Sequence, residues 1–182
     1  MRFGFFLDLN RCIGCRACEG ACQNWKGPGF PLRRVQAFAG RVKGRWQEYY
    51  LSLACNHCEN PECFRVCPAR TYNKRRDGIV LHNSGRCSGC NRCVRACPFG
   101  APRYNLTIGK VEKCDLCVER IDNGLPPACV EACPVKALQV LQLDEGKEVG
   151  ERWVPGLADV NITRPTLRLK APEEGERFFL VG

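Results

Sequence analysis

CSGCNRCVRACP, residues Cys87 to Pro98, sets three cysteines at two-residue intervals, a fourth after three more residues, and a proline directly behind it. The pattern is not isolated. CIGCRACEGAC carries Cys12, Cys15, Cys18 and Cys22; CNHCENPECFRVCP carries Cys55, Cys58, Cys63 and Cys67; CDLCVERIDNGLPPACVEACP carries Cys114, Cys117, Cys129 and Cys133. Each run is a Cys-x2-Cys pair, a third cysteine at variable distance and a fourth after three intervening residues, with proline next in all but the first. The four runs consume all 16 cysteines of the 182-residue chain, so no leftover thiol asks for another role.

A cysteine content this high signals a disulfide scaffold or a metal-loaded chain. Disulfides suit small exported domains, yet MRFGFFLDLNRCIGC lacks the regions of a signal peptide, and repeated Cys-x2-Cys pairs are poor geometry for independent staples. Structural zinc uses such pairs too, but joins two separated ones. Three cysteines at x2, x2 spacing followed by x3 and Cys-Pro form the bacterial ferredoxin run that holds a [4Fe-4S] cluster, its fourth cysteine serving a second cluster. Four runs then make two reciprocal pairs and four [4Fe-4S] clusters. With 2 histidines, imidazole-rich zinc or copper chemistry is not expected to dominate.

The chemistry accounts for the spacing. Three closely spaced thiolates wrap one face of a cubane while small residues such as Gly14, Ala17, Ser88 and Gly89 let backbone amides point at the sulfides. Proline then turns the chain away. In the fourth run the spacer VERIDNGLPPA has room for a short helical turn, a glycine stop at Gly124 and a Pro126-Pro127 kink that returns Cys129 to the site opened by Cys114 and Cys117.

Taken in order, CNHCENPECFRVCP, DGIVLHNSGRCSGCNRCVRACPFGAPRYN and KCDLCVERIDNGLPPACVEACP resemble the four-cluster iron-sulfur subunit of the dimethyl sulfoxide reductase family of molybdoenzymes. The likeness covers about residues 3–143, and the tail NITRPTLRLKAP is similar to the end of such subunits. It implies the ligand sets: Cys12, Cys15, Cys18 and Cys133; Cys114, Cys117, Cys129 and Cys22; Cys55, Cys58, Cys63 and Cys97; Cys87, Cys90, Cys93 and Cys67. It also implies that the Cys12 cluster faces a molybdopterin or tungstopterin catalytic subunit and the Cys87 cluster a membrane quinone-binding anchor. Some relatives replace a cysteine of the third run and build a three-iron cluster; Cys90 is retained here.

The formal charge of +9 would suggest nucleic acid if every thiol were neutral. An oxidised cluster with four thiolates carries about −2, so four clusters offset nearly all of that excess. No nucleic-acid partner is expected, and Lys74-Arg75-Arg76 reads as a solvated turn. Arg11, Arg16, Arg86, Arg92, Arg95 and Lys113, close to cysteines in sequence, are expected to tune potentials.

The expected fold is α+β, a tandem bacterial-ferredoxin-like arrangement of short hairpins and helices around the clusters. Residues 1–143 form the cluster domain, with runs two and three nested between runs one and four, and residues 144–182 form a cysteine-free tail able to dock a partner. Strands are expected at 3–7, 48–54, 78–82 and 137–143. NWKGPGFP reads as a loop and RVKGRW as a hairpin turn. Trp25, Trp46, Trp153 and Phe178-Phe179-Leu180 read as local core, and His57 as a hydrogen-bonding residue beside its cysteines.

The expected function is electron transfer with no catalytic residues, between a molybdenum subunit and a membrane quinone partner. A soluble tungsten- or flavin-containing oxidoreductase is the alternative, and a zinc-scaffolded interaction module the rival from another class. No window approaches a membrane-spanning helix. The resemblance implies a subunit peripheral to the membrane, exported folded with its catalytic partner or cytoplasmic.

Overall fold

Phe5 and Leu7 point to the same face of strand β1 (Arg2–Asp8), and both are buried. The other face of β1 is covered as well, since a Cβ at Gly4 would lie 2.5 Å from the Thr166 carbonyl oxygen. Strand β1 is thus covered on both faces, and strands pair with it along both edges. In this computed structural model, which describes residues 2–27, 29–42, 44–143 and 149–173, β1 is flanked by antiparallel β8 (Leu138–Leu143) and parallel β9 (Arg168–Lys170). Arg2 lies opposite Leu143 and Leu7 opposite Leu138, so the start of the chain is registered against the exit from the fourth cysteine run.

Helix α1 (Ala17–Lys26) carries the end of run one. It continues past Cys22 because glutamine, not proline, follows, and Asn24, Trp25 and Lys26 are therefore helical rather than part of a loop that starts with NWKGPGFP. The other three runs have proline there, and their helices α2 (Glu62–Arg65), α3 (Arg92–Ala96) and α5 (Ala128–Glu131) stop within five residues. After each of those prolines the chain makes the same turn. Arg70, Gly100 and Lys136 adopt positive φ, and their N–H groups donate to the carbonyls of Cys67, Cys97 and Cys133 at 3.1–3.2 Å.

Strands β2 (Arg34–Val42) and β3 (Arg45–Leu53) form the hairpin expected at RVKGRW, with Val42 opposite Arg45. Two small hairpins flank run three: β4 (Tyr72–Lys74) with β5 (Val80–His82), and β6 (Arg103–Asn105) with β7 (Lys110–Glu112). The spacer of run four contains α4 (Val118–Asp122), then Gly124 at φ 73°, before Pro126-Pro127 leads into α5. That is the layout expected from its residues.

The main core gathers Phe5, Leu7, Leu9, Leu51, Leu116, Leu138 and Leu169 with cysteines of runs one, two and four. A second, smaller core holds Cys63, Tyr72, Val80, Cys93 and Val111. Within residues 149–173, Val154, Leu157, Leu167 and Leu169 return to the main core. The three tryptophans expected inside are exposed instead: Trp25 lies under the Arg120 guanidinium, and Trp153 donates to the Leu157 carbonyl at 2.9 Å. Phe178-Phe179-Leu180 lies outside the described residues. Among those described, no helix is long and apolar enough to cross a membrane.

Candidate iron-sulfur centres

Each cysteine run begins with the same backbone device. The residue two places after its first cysteine has positive φ: Gly14 at 72°, His57 at 42°, Gly89 at 70° and Leu116 at 62°. A left-handed residue in a tight loop turns successive amides inward and makes an anion-binding concavity. Gly89 N–H and Leu116 N–H donate to the sulfurs of Cys87 and Cys114 at 3.4 Å, as Thr71 N–H does to Cys67. Gly14 meets a further constraint, since a Cβ there would lie 2.6 Å from the Tyr50 ring.

Packing brings distant runs together. Cys12, Cys15, Cys18 and Cys133 line one cavity, and Cys55, Cys58, Cys63 and Cys97 line another. Helices α1 and α5 pack against each other. Cys22 and Cys117 both lie near enough to Cys129 for its charge to raise their pKa. Helices α2 and α3 also pack together, and Cys93 is raised by burial and by the charges of Cys87 and Cys67. Cys90 stands exposed at that end, its thiol held low first by the Arg92 amide.

Burial raises several of the other thiols. It pushes Cys12 and Cys117 up to about 11 and Cys58 to about 12, helped by neighbouring cysteines. Cys63 and Cys114 rise further for the same reason. Without iron these thiols hold their protons at neutral pH, so ligation must release them.

The sets also neighbour one another. Cys18 senses Cys129, Cys114 senses Cys55, and Tyr72 senses both Cys93 and Cys63. Among the described residues, no group of three or more His, Cys, Asp or Glu converges as a single-ion site requires; the thiols surround space instead. Buried donors without partners lie among them: Arg33 Nε and Nη2, and His57 Nε2. Unpaired buried donors around thiol-lined cavities fit a polynuclear, negatively charged iron-sulfur group.

His57 is fully buried, and its Nδ1 accepts the Val80 N–H at 3.0 Å, which leaves the proton of the neutral ring on Nε2. Burial, then the charges of Lys113, Arg33 and Lys74, hold its pKa well below the ordinary value. The hydrogen bond to backbone expected of His57 is present, with the imidazole as the acceptor.

The basic residues chosen by closeness in sequence fare unevenly. Arg11, Arg16, Arg86, Arg92 and Arg95 are exposed, where solvent screens their charge. Lys113 is buried and donates to the Val80 and Cys114 carbonyls. Lys74 Nζ is held by the Cys58 and Glu59 carbonyls, and Arg75 pairs with Asp77 and Asp122, so much of that basic turn is engaged rather than solvated. Arg33 lies outside every run, and nothing in its local sequence marked it.

The chain matches the 4Fe-4S dicluster domain family over residues 46–143 and a 4Fe-4S binding domain over residues 9–25. It is 42% identical to an anaerobic dimethyl sulfoxide reductase chain of Escherichia coli K12, across 93% of this protein and 88% of that relative. The thiosulfate reductase electron transfer subunit of Salmonella typhi is 39% identical, across 81% of this protein and 78% of its own length. The iron-sulfur subunit of the nitrate-inducible formate dehydrogenase of E. coli K12 is 33% identical, across 83% and 58%.

Proposed function

Since the chain belongs to the family of iron-sulfur electron-transfer subunits found in anaerobic dimethyl sulfoxide reductase and thiosulfate reductase, we propose that its sixteen cysteines hold four [4Fe-4S] clusters in a single relay. The relay joins a molybdenum catalytic subunit to a membrane quinone-binding subunit. Its sets are Cys12, Cys15, Cys18 and Cys133; Cys22, Cys114, Cys117 and Cys129; Cys55, Cys58, Cys63 and Cys97; Cys67, Cys87, Cys90 and Cys93.

The observation that carries this reading is the continuity of neighbours. Cys18 and Cys129 link the first set to the second, Cys114 and Cys55 the second to the third, and Tyr72 lies between Cys63 of the third and Cys93 of the fourth. The terminal sets each include an exposed cysteine, Cys15 or Cys90, while the second set is buried throughout. A fully buried second set, a partly buried third and exposed ends suit one-electron passage between two docked partners. The clusters supply the redox chemistry; the chain's own residues position the thiolates, exclude water and set local charge.

Elemental analysis of the complex purified anaerobically tests the reading. Roughly sixteen irons attributable to this chain, together with molybdenum, is the expected result. Tungsten in place of molybdenum would favour a soluble oxidoreductase partner, and zinc without iron would end the electron-transfer assignment.

A further inference from the structure

Arg33 immediately precedes β2 and is 1% exposed. Its Nη1 donates to the carbonyl and hydroxyl oxygens of Ser52 at 2.8 and 3.1 Å, and the Ser52 hydroxyl is 3.3 Å from Cys18 Sγ. The guanidinium carbon sits 4.3 Å from the centre of the Phe5 ring. Nε and Nη2 have no hydrogen-bond partner, and no described carboxylate pairs with the group.

A guanidinium does not shed its proton when buried, so it needs negative charge at hand. The groups whose charge reaches it are cysteines: Cys129 and Cys114 from one set, Cys18 from another. These cysteines are ligands of the proposed clusters, and Cys18 is tied to Arg33 through the Ser52 hydroxyl. A ligated cluster, negative in either oxidation state, answers the requirement without a proton.

We propose that Arg33 is the shared counter-cation of the two clusters held by runs one and four, its free Nε–H and Nη2–H directed at their thiolate and sulfide surface. This rests on the four-cluster reading. Accepting one electron takes a four-thiolate cluster from about −2 to about −3. A fixed buried cation stabilises the more negative state, and so raises the potentials of both clusters relative to the same site without it. The other end of the side chain is held by Ser52 and Phe5, so Arg33 acts as a positioning residue and not as a ligand.

The test compares the native complex with Arg33→Gln and Arg33→Lys variants, using redox titration followed by electron paramagnetic resonance, with iron counted on each sample. In Arg33→Gln two couples are expected to fall, so that the ratio of reduced to oxidised cluster at a fixed potential drops about tenfold, equivalent to 59 mV for one electron. The other two should stay in place, and Arg33→Lys should recover most of the shift. A loaded Arg33→Gln complex with all couples unmoved would overturn the proposal, as would Arg33→Lys shifting as far as Arg33→Gln. If Arg33→Gln loses iron, Arg33→Lys decides: full loading with near-native couples supports the proposal, and loss of iron there too makes Arg33 purely structural and overturns it. Wild-type iron far below sixteen would instead break the four-cluster reading on which the proposal stands.

Discussion

Arg33 and Tyr72 occupy two junctions between cysteine sets, and the junctions are built differently. Arg33 is a cation in the main core, walled by Phe5, Ser52 and the buried cysteines of runs one and four. Tyr72 is a neutral donor in the small core, its ring 4.7 Å from His82 and its hydroxyl facing Cys93. Burial and the neighbouring thiolates keep the Tyr72 proton in place. Cys22, Cys114, Cys117 and Cys129 beside Arg33 are all buried, so an electron arriving there adds charge that a fixed cation offsets better than distant solvent. At the outer end Cys90 is exposed, and solvent shares that task.

The broadest way to break the contrast is to remove iron. Metal ligation supplies the cross-links of a small chain, so chelation of the reduced protein is expected to abolish most native circular dichroism in both regions. Retention of the native spectrum without iron would mean that the two cores stand by themselves.

Single ligands should separate the regions. Cys129→Ser places a weaker ligand in the buried set, and the chain is expected to fail to accumulate. Cys90→Ser, at the exposed end, should leave a folded subunit lacking about one cluster's iron. Equal loss of protein in both variants, read by immunoblot and iron content, would erase the distinction.

Core truncations sharpen it on a smaller scale. Leu7→Ala should cost about 2–5 kcal/mol, because Leu7 is fully buried at the centre of the sheet. Val111→Ala in the small core removes one carbon fewer and should cost about 1–2 kcal/mol. Denaturation of the anaerobic holo-complex would rank them, and a reversed order would show that the small core carries the fold.

The smallest expected effect is that of Tyr72→Phe. Losing one donor to Cys93 should lower the potential of the outermost cluster by an amount equivalent to about 1 kcal/mol, leaving the couples near Arg33 unmoved. A shift of all four couples would indicate a general rearrangement instead.

Much of this was legible in local sequence, for a physical reason: the relevant structure is short-range. The glycines at 14 and 89 mark left-handed turns, the prolines after Cys67, Cys97 and Cys133 end helices, and Gly124 with Pro126-Pro127 shapes the fourth run. His57 and Leu116 adopt the same turn without glycine, which only the repeat position of each within its run could have suggested. The exposed tryptophans ran against expectation because apolar character alone does not say which side of an element faces the core. Charge was harder still. Arginines beside cysteines project into solvent, whereas Arg33, remote from every run, is enclosed by them.

What the sequence by itself determined is the inventory and the local geometry: four cysteine runs, their turns, their stops and the iron-sulfur chemistry that such runs serve. Tertiary structure alone decided which thiols of distant runs face one another, which cation lies buried between them, and that residues 168–170 return beside β1. The reason is range. Turns and caps follow from neighbours a few residues apart, while the pairing of β1 with β8, the packing of α1 on α5 and the enclosure of Arg33 join residues far apart along the chain and exist only once the whole chain has closed.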